Sequence, residues 1–332
     1  MYDIIAVGEI LVEILTEKRD QEFSRPGILL GPFPSGAPAI AIDQAARMGA
    51  KTAIIAKIGA DDFGLLNKER LRTGGTDISH IIETKTNVTG TAFITYFSGG
   101  ERKFIFHFTH AACGELCPDD IKEELIKNTR YIHIMGCSIT GSPTMGEAIM
   151  QAVRYAKKYN VKISFDPNIR PELLTGHIMD YYREIIETSD VLLTGKTELA
   201  FLFNQSGSAA ETSLQAAITK LLEQKDRIVA VKDGANNTSV YTRREAFKIE
   251  PFPANCVDAT GAGDSFDGTF LALLCKGENI KTAALYGNAA GAKAVEKQGP
   301  MEGNSSREEL DQLIKENPQV VVKEIEMLYK EP

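Results

Sequence analysis

The sequence predicts an α/β protein: a three-layer α/β/α core built on a mostly parallel sheet, with a small second sheet beside it. Three observations lead there. Short β-branched runs alternate with amphipathic helical stretches, two strand-like ribbons break that alternation, and a glycine-rich segment at 258–266 runs into an apolar helix.

Residues 4–7, 52–58, 131–135, 161–165, 191–194 and 228–232 read as buried strands, and 37–48, 147–159, 213–223 and 266–275 as helices. Strand and helix in alternation build a parallel sheet with helices on both faces. Ligands of such sheets bind outside the carboxyl ends of the strands. The ribbons lie at 10–16 and 91–108, the second turning at Ser98-Gly99-Gly100. A hairpin with no following helix fits either a separate small sheet, a lid over the site, or an edge extension of the main sheet. Phe104, Phe106 and Phe108 alternate and so share one face. They fit a cover over the ligand, a contact with a partner's lid, or ordinary sheet packing.

The chain has 332 residues, 43% apolar and 25% charged, with a net charge of −8. It carries no repeat, low-complexity tract or linker, and we read it as a single domain over 1–332, with the lid at about 10–35 and 91–110. No Lys/Arg cluster offers the basic patch that a nucleic-acid surface needs. No apolar run approaches the ~20 residues of a membrane span, so the expected partner is a small molecule. Met1-Tyr2-Asp3-Ile4-Ile5 has neither the basic start nor the cleavage site of a signal peptide. The expected location is the cytoplasm, with the cysteines at 113, 117, 137, 256 and 275 as reduced thiols.

The most informative segment is Asp258-Ala259-Thr260-Gly261-Ala262-Gly263-Asp264-Ser265-Phe266. Small residues let backbone N–H groups converge, and a helix N-terminus adds positive partial charge, which together make an anion site. A carboxylate there, Asp264, is useful if the anion is a transferring phosphoryl group and the Asp takes the proton of the attacking hydroxyl. The same segment also fits a glycine-rich turn with Asp264 as helix N-cap. No Walker A sequence is present.

These residues resemble the ribokinase/PfkB carbohydrate kinase family, whose signature is Asp-Thr-x-Gly-Ala-Gly-Asp at a helix start, with Ala259 here for the usual Thr. The resemblance spans nearly the whole chain. Gly8-Glu9, Ser35-Gly36-Ala37-Pro38-Ala39, the Gly-x-Asp-x-x-Gly loop at 59–64 and Asp166-Pro167-Asn168-Ile169-Arg170 follow in family order. It implies a ribokinase-like core with a β lid, ATP and Mg²⁺ as cofactors, and transfer to a hydroxyl of a small sugar or sugar acid. It implies Asp264 as catalytic base and the amides of Gly261, Ala262 and Gly263 as the anion hole. Glu198 matches the residue that organises Mg²⁺ through water, although Gly195 replaces the Asn and leaves that motif incomplete, with backbone or water open as substitutes. Lys232, Gly234 and Asn288 match nucleotide positions. Asp258, Thr260, Ala294 and Gly299 match a monovalent-cation site, taken by K⁺ in many members.

For the sugar, the resemblance implies Glu13, Gly36, His107, Arg170 and Asp264. Glu13 stands for the usual Asp, Ser35 for a Gly, and Ile40 for a polar Asn, so ribokinase's own substrate does not carry over. Arg170 fits a substrate carboxylate, the transferring phosphate, or a structural ion pair. A 2-keto-3-deoxygluconate-like acid and a ketose such as fructose both stay open, as does the use of His107, whose charge at neutral pH is partial. The rival readings are a nucleoside kinase, with Phe104 to Phe108 stacking on a base, and a sugar-binding regulator with weak or no turnover. A homodimer through the lid is a further expectation from the family. His107, His110, Cys113 and Cys117 have zinc-ligand types, but their spacing reads as separate lid and loop residues.

Overall fold

The computed structural model describes residues 1–99, 101–170, 174, 176–204 and 213–329; Gly100 of the expected turn lies outside them. The described strands are β1 (Tyr2–Val7), β2 (Leu11–Thr16), β3 (Leu29–Ser35), β4 (Thr52–Gly59), β5 (Ile81–Thr84), β6 (Gly90–Tyr96), β7 (Arg102–His107), β8 (Thr129–Met135), β9 (Lys162–Asp166), β10 (Val191–Gly195), β11 (Ile228–Lys232), β12 (Thr238–Tyr241), β13 (Ala246–Ile249) and β14 (Val322–Glu324).

Ten of them form one sheet in the order β14-β13-β12-β11-β10-β9-β8-β1-β4-β5. The strands from β11 to β5 run parallel. The antiparallel extension β12–β14 was not foreseen, because its short strands follow a turn rather than a helix. β1 lies between β4 and β8. The chain therefore leaves β1 first to one side and later to the other, which opens a crevice at the carboxyl ends of β1 and β8.

Alternation along β1 builds both faces of the core. Ile4 and Ala6 pack with Ile40, Phe266 and Phe270, while Ile5 and Val7 pack with Ile149, Phe165 and Tyr182 on the other face. The second ribbon is not an edge of this sheet. It forms a separate four-stranded sheet, β3-β2-β6-β7, in which β2 and β6 are parallel and the outer pairs antiparallel.

Two helix starts differ from expectation and matter for the site. The helix expected over 266–275 runs Ala262–Cys275, because Gly261 takes φ 80° and turns the chain into the helix earlier. Asp264 is thus in the first turn and is not the N-cap. The helix Pro143–Tyr159 begins before residue 147 because Ser142 caps it through the Met145 N–H.

The helix Ala262–Cys275 lies against Ala37–Arg47, and a Cβ at Gly268 would stand 2.1 Å from the Ala41 carbonyl oxygen. Gly268→Ala must push these helices apart. It should lower stability in urea unfolding by about 1–3 kcal/mol; an unchanged midpoint would contradict this close contact.

Candidate active site

A cavity of about 940 Å³ lies between the carboxyl ends of the core strands and the small sheet. That is at the upper end of ordinary ligand pockets and has room for two ligands. Glu9, Glu13, Gly36, Ile40, Arg102 and Phe104 line one end, and Gly234, Pro251, Phe252, Asn288 and Gly291 the other; Gly261, Ala262, Gly263 and Asp264 lie on its wall as well.

Asp264 is buried, and Asn168 donates to its Oδ1 through Nδ2 at 3.3 Å. Burial, with the Asp166 charge second, raises its pKa to about 7, while Lys232 and Arg170 oppose the shift. Asn168 itself takes φ 38°, and its Oδ1 is buried without a partner.

Lys232 lines the cavity, but its ammonium is engaged by buried carboxylates. It lies 2.9 Å from Asp166 and 2.8 Å from Asp267. Burial resists ionisation of Asp166, yet Lys232 and local hydrogen bonds outweigh it and hold this carboxyl low. Burial holds Asp267 well above the usual range. Lys232 therefore faces the site as the neutralising partner of Asp166, a use that the sequence did not reveal because its partners are 66 and 35 residues away.

At the end lined by Glu13 and Gly36, Ser35, the replacement for a family Gly, donates to Glu13 Oε1 at 2.7 Å. Glu13 Oε2 is buried without a partner. Burial raises Glu13 to about 8, against the Ser35 hydrogen bond. Ile40 lines the cavity as an apolar wall. Arg170 lies over the Phe104 ring at 5.6 Å. His107 is exposed and does not line the cavity, a correction to its expected role. The cause is parity along β7: Phe104 and Phe106 face the cavity, and so does Arg102, whereas His107 takes the opposite face. The alternation of the phenylalanines already carried that signal for Arg102.

Glu198 lines the cavity, and its two oxygens accept Ile169 N at 2.9 Å and Gly195 N at 2.7 Å. The backbone of Gly195 thus supports the carboxylate where the family Asn is missing. With one N–H on each oxygen, lone pairs remain for a water-held hard cation, so Glu198 fits Mg²⁺. The monovalent-cation set does not fit its role in the same way. Asp258 is buried and already accepts Thr260 N at 2.9 Å, Gly299 N at 3.0 Å and the Tyr96 hydroxyl. Ala294 packs against Gly303, its Cα 2.5 Å from where a Cβ there would stand, and the next carbonyl, Val295 O, accepts Val257 N at 2.8 Å and Asp258 N at 3.1 Å.

Asn288 lines the far end; its Oδ1 accepts Thr238 Oγ1 at 2.7 Å, and Gly234 borders the same space. Asp61, in the Gly-x-Asp-x-x-Gly loop, caps the helix Asp62–Gly74 through Gly64 N and accepts Thr89 N at 2.7 Å, a structural use. Cys113 is buried and donates to the Phe108 carbonyl, whereas Cys117 bonds Asp120. The zinc-type residues are thus apart in their contacts.

A family model described as pfkB family carbohydrate kinase matches residues 4–307. The chain belongs to this family. This carbohydrate kinase is 28% identical to the 5-dehydro-2-deoxygluconokinase of Bacillus subtilis (strain 168) over 94% of its own length and 96% of the relative's. It is 29% identical to the probable fructokinase-2 of Arabidopsis thaliana, covering 89% and 91%. Among solved structures it resembles a provisionally named Ribokinase II from E.coli, in complex with ATP and Mg²⁺, at 40% identity and a TM-score of 0.88, covering 95% and 100%. The ribokinase-like fold and the kinase class expected from the sequence both hold.

Glu13 gives a test of the site's electrostatics. Its folded pKa of about 8 lies above the ~4.3 of an unfolded Glu. Its contribution to stability is therefore full below about pH 4 and is lost as pH rises through 8. In ligand-free protein, Glu13→Gln should lose less melting temperature between pH 5 and 8.5 than the wild type; parallel curves would contradict the raised pKa.

Proposed function

We propose that this carbohydrate kinase transfers the γ-phosphoryl group of ATP to a hydroxyl of a small sugar or sugar acid, with Asp264 as the base. The observation that carries the reading is the buried carboxylate of Asp264 in the first helical turn, beside the amides of Gly261, Ala262 and Gly263 and facing the shared cavity. A carboxylate with a pKa of about 7 is well matched to take a hydroxyl proton at neutral pH. Asn168 orients it. The amides at the helix N-terminus suit the charge on the transferring group.

ATP would extend toward Gly234 and Asn288, with Lys232 steadying Asp166 between them and the base. Glu198 would hold Mg²⁺ through water, and the metal would neutralise phosphate charge. The small sheet would act as a lid that excludes water from the phosphoryl group. The chain would work as one catalytic domain in the cytoplasm; among the described residues no helix is long and apolar enough to cross a membrane.

At the sugar end, the unpartnered Oε2 of Glu13 would hydrogen-bond a sugar hydroxyl, and Gly36 would allow the sugar close to the backbone. Arg102 and Arg170 both lie over Phe104, at 5.7 and 5.6 Å from its ring centre. Two guanidiniums at one end favour an oxygen-rich acid over a neutral ketose, and the relative named 5-dehydro-2-deoxygluconokinase agrees with that direction. A ketose such as fructose is the second reading, supported by the plant relative's name.

Asp264→Asn should lower kcat by about 10²–10⁴-fold while sugar still binds by calorimetry, and wild-type kcat/KM should rise with pH through about 7. Retained turnover in Asp264→Asn would remove the base. Arg102→Ala should raise the KM for the sugar by about tenfold with KM for ATP unchanged, as loss of a charge-assisted contact implies. His107→Ala should change neither; the reverse pattern would reinstate His107.

A further inference from the structure

Tyr96 carries a hydroxyl that no motif points to. It ends β6, an inner strand of the small sheet. Its hydroxyl donates to Asp258 Oδ1 and lies 2.6 Å from Thr260 Oγ1. A carboxylate only accepts, so the tyrosine proton goes to Asp258, and the Thr260 hydroxyl donates to the tyrosine oxygen. Among the described residues these are the hydrogen bonds that join the small sheet to the loop 258–263.

The partners are the two side chains of the expected cation set. A buried carboxylate needs its charge answered by donors or by a cation. Asp258 has three donors: the amides of Thr260 and Gly299 and the Tyr96 hydroxyl. The narrow cleft outside Tyr96 and Asp258 is also bordered by Glu17, Lys18 and Arg19, so two basic side chains already face its two carboxylates. Gly299 sits close to Phe33 of β3: a Cβ there would stand 2.7 Å from its ring. The small sheet thus touches this turn at two points.

We propose that Tyr96 is a positioning residue whose hydroxyl organises the loop 258–263 in the place of a monovalent cation and registers that loop against the small sheet. The inference rests on the kinase reading above, in which the loop holds the transferring phosphate. It predicts a kinase whose anion site needs no K⁺ and whose loop geometry depends on the small sheet.

The test compares wild type, Tyr96→Phe and Thr260→Val in KCl, NaCl and choline chloride at equal ionic strength, by thermal unfolding and by kinetics with ATP and the preferred sugar. The wild type should melt at the same temperature in all three salts, and its kcat should agree within about twofold. Tyr96→Phe should keep both KM values within about threefold and lose about tenfold or more in kcat, since small misplacements of a phosphate-holding loop cost that much. Thr260→Val should lose less in the same direction, and the double variant should fall short of the product of the two losses. If Tyr96→Phe fails to fold, Thr260→Val carries the kinetic comparison. A K⁺-specific rise in wild-type melting temperature, which would report binding to the folded state, overturns the proposal. So does several-fold activation of the wild type by K⁺, or wild-type kcat in the variants. A wild type that phosphorylates no sugar would count against the kinase reading instead, and the thermal comparison would still decide the role of Tyr96.

Discussion

The buried carboxylate of Asp264 at the start of the helix Ala262–Cys275 is the constraint around which the other site residues are arranged. A buried charge is costly unless it is paired. Here Lys232, whose charge acts on Asp264, is itself paired with Asp166 and Asp267. Glu9, Glu13 and Glu198 add further acid to the same cavity wall. The ligand-free site therefore has more carboxylates than basic groups to answer them, and burial with like charge raises the pKa of Asp264. Around Asp264 such a site resists a bare phosphate, whereas Arg102 and Arg170 lie over Phe104 at the other end of the cavity. The site suits a phosphate that arrives with its own divalent metal and a hydroxyl that gives up a proton.

The topology explains how side chains so far apart in sequence meet. Parallel strands deliver Glu9, Asp166, Gly195 and Lys232 to the same edge of the sheet, because each follows or ends a strand at its carboxyl end. The small sheet closes the cavity from the other side and supplies Glu13, Arg102 and Phe104. The core thus carries Asp264 and the loop 258–263, and the small sheet carries the side chains that face them across the cavity. Tyr96 links them.

Much of this was legible in the sequence. The strand-helix alternation gave the core, and the segment 258–264 was picked out as a helix start that does lie on the cavity wall, because local chemistry and spacing suffice for both. What was missed depends on contacts distant in sequence or on the face a side chain takes. Gly195 left backbone and water both open as substitutes for the Asn, and it is the backbone N–H that serves Glu198. Ser35 looked like a lost glycine, yet it holds Glu13. His107 was placed by motif position, and the two-residue period of β7 turned it outward while bringing Arg102 in. The engagement of Lys232 by Asp166 and Asp267 has no local signature at all.

The most direct measurement is the ATP-dependent formation of a phosphorylated product, followed with Mg²⁺ across keto-deoxy sugar acids, ketoses, aldoses and nucleosides, with ADP and product quantified together. The account predicts one sugar or sugar acid, most readily an acid, converted with one ADP formed per product, and this conversion lost in Asp264→Asn. ADP release that no sugar accelerates, or turnover that survives the loss of the Asp264 carboxylate, would contradict it.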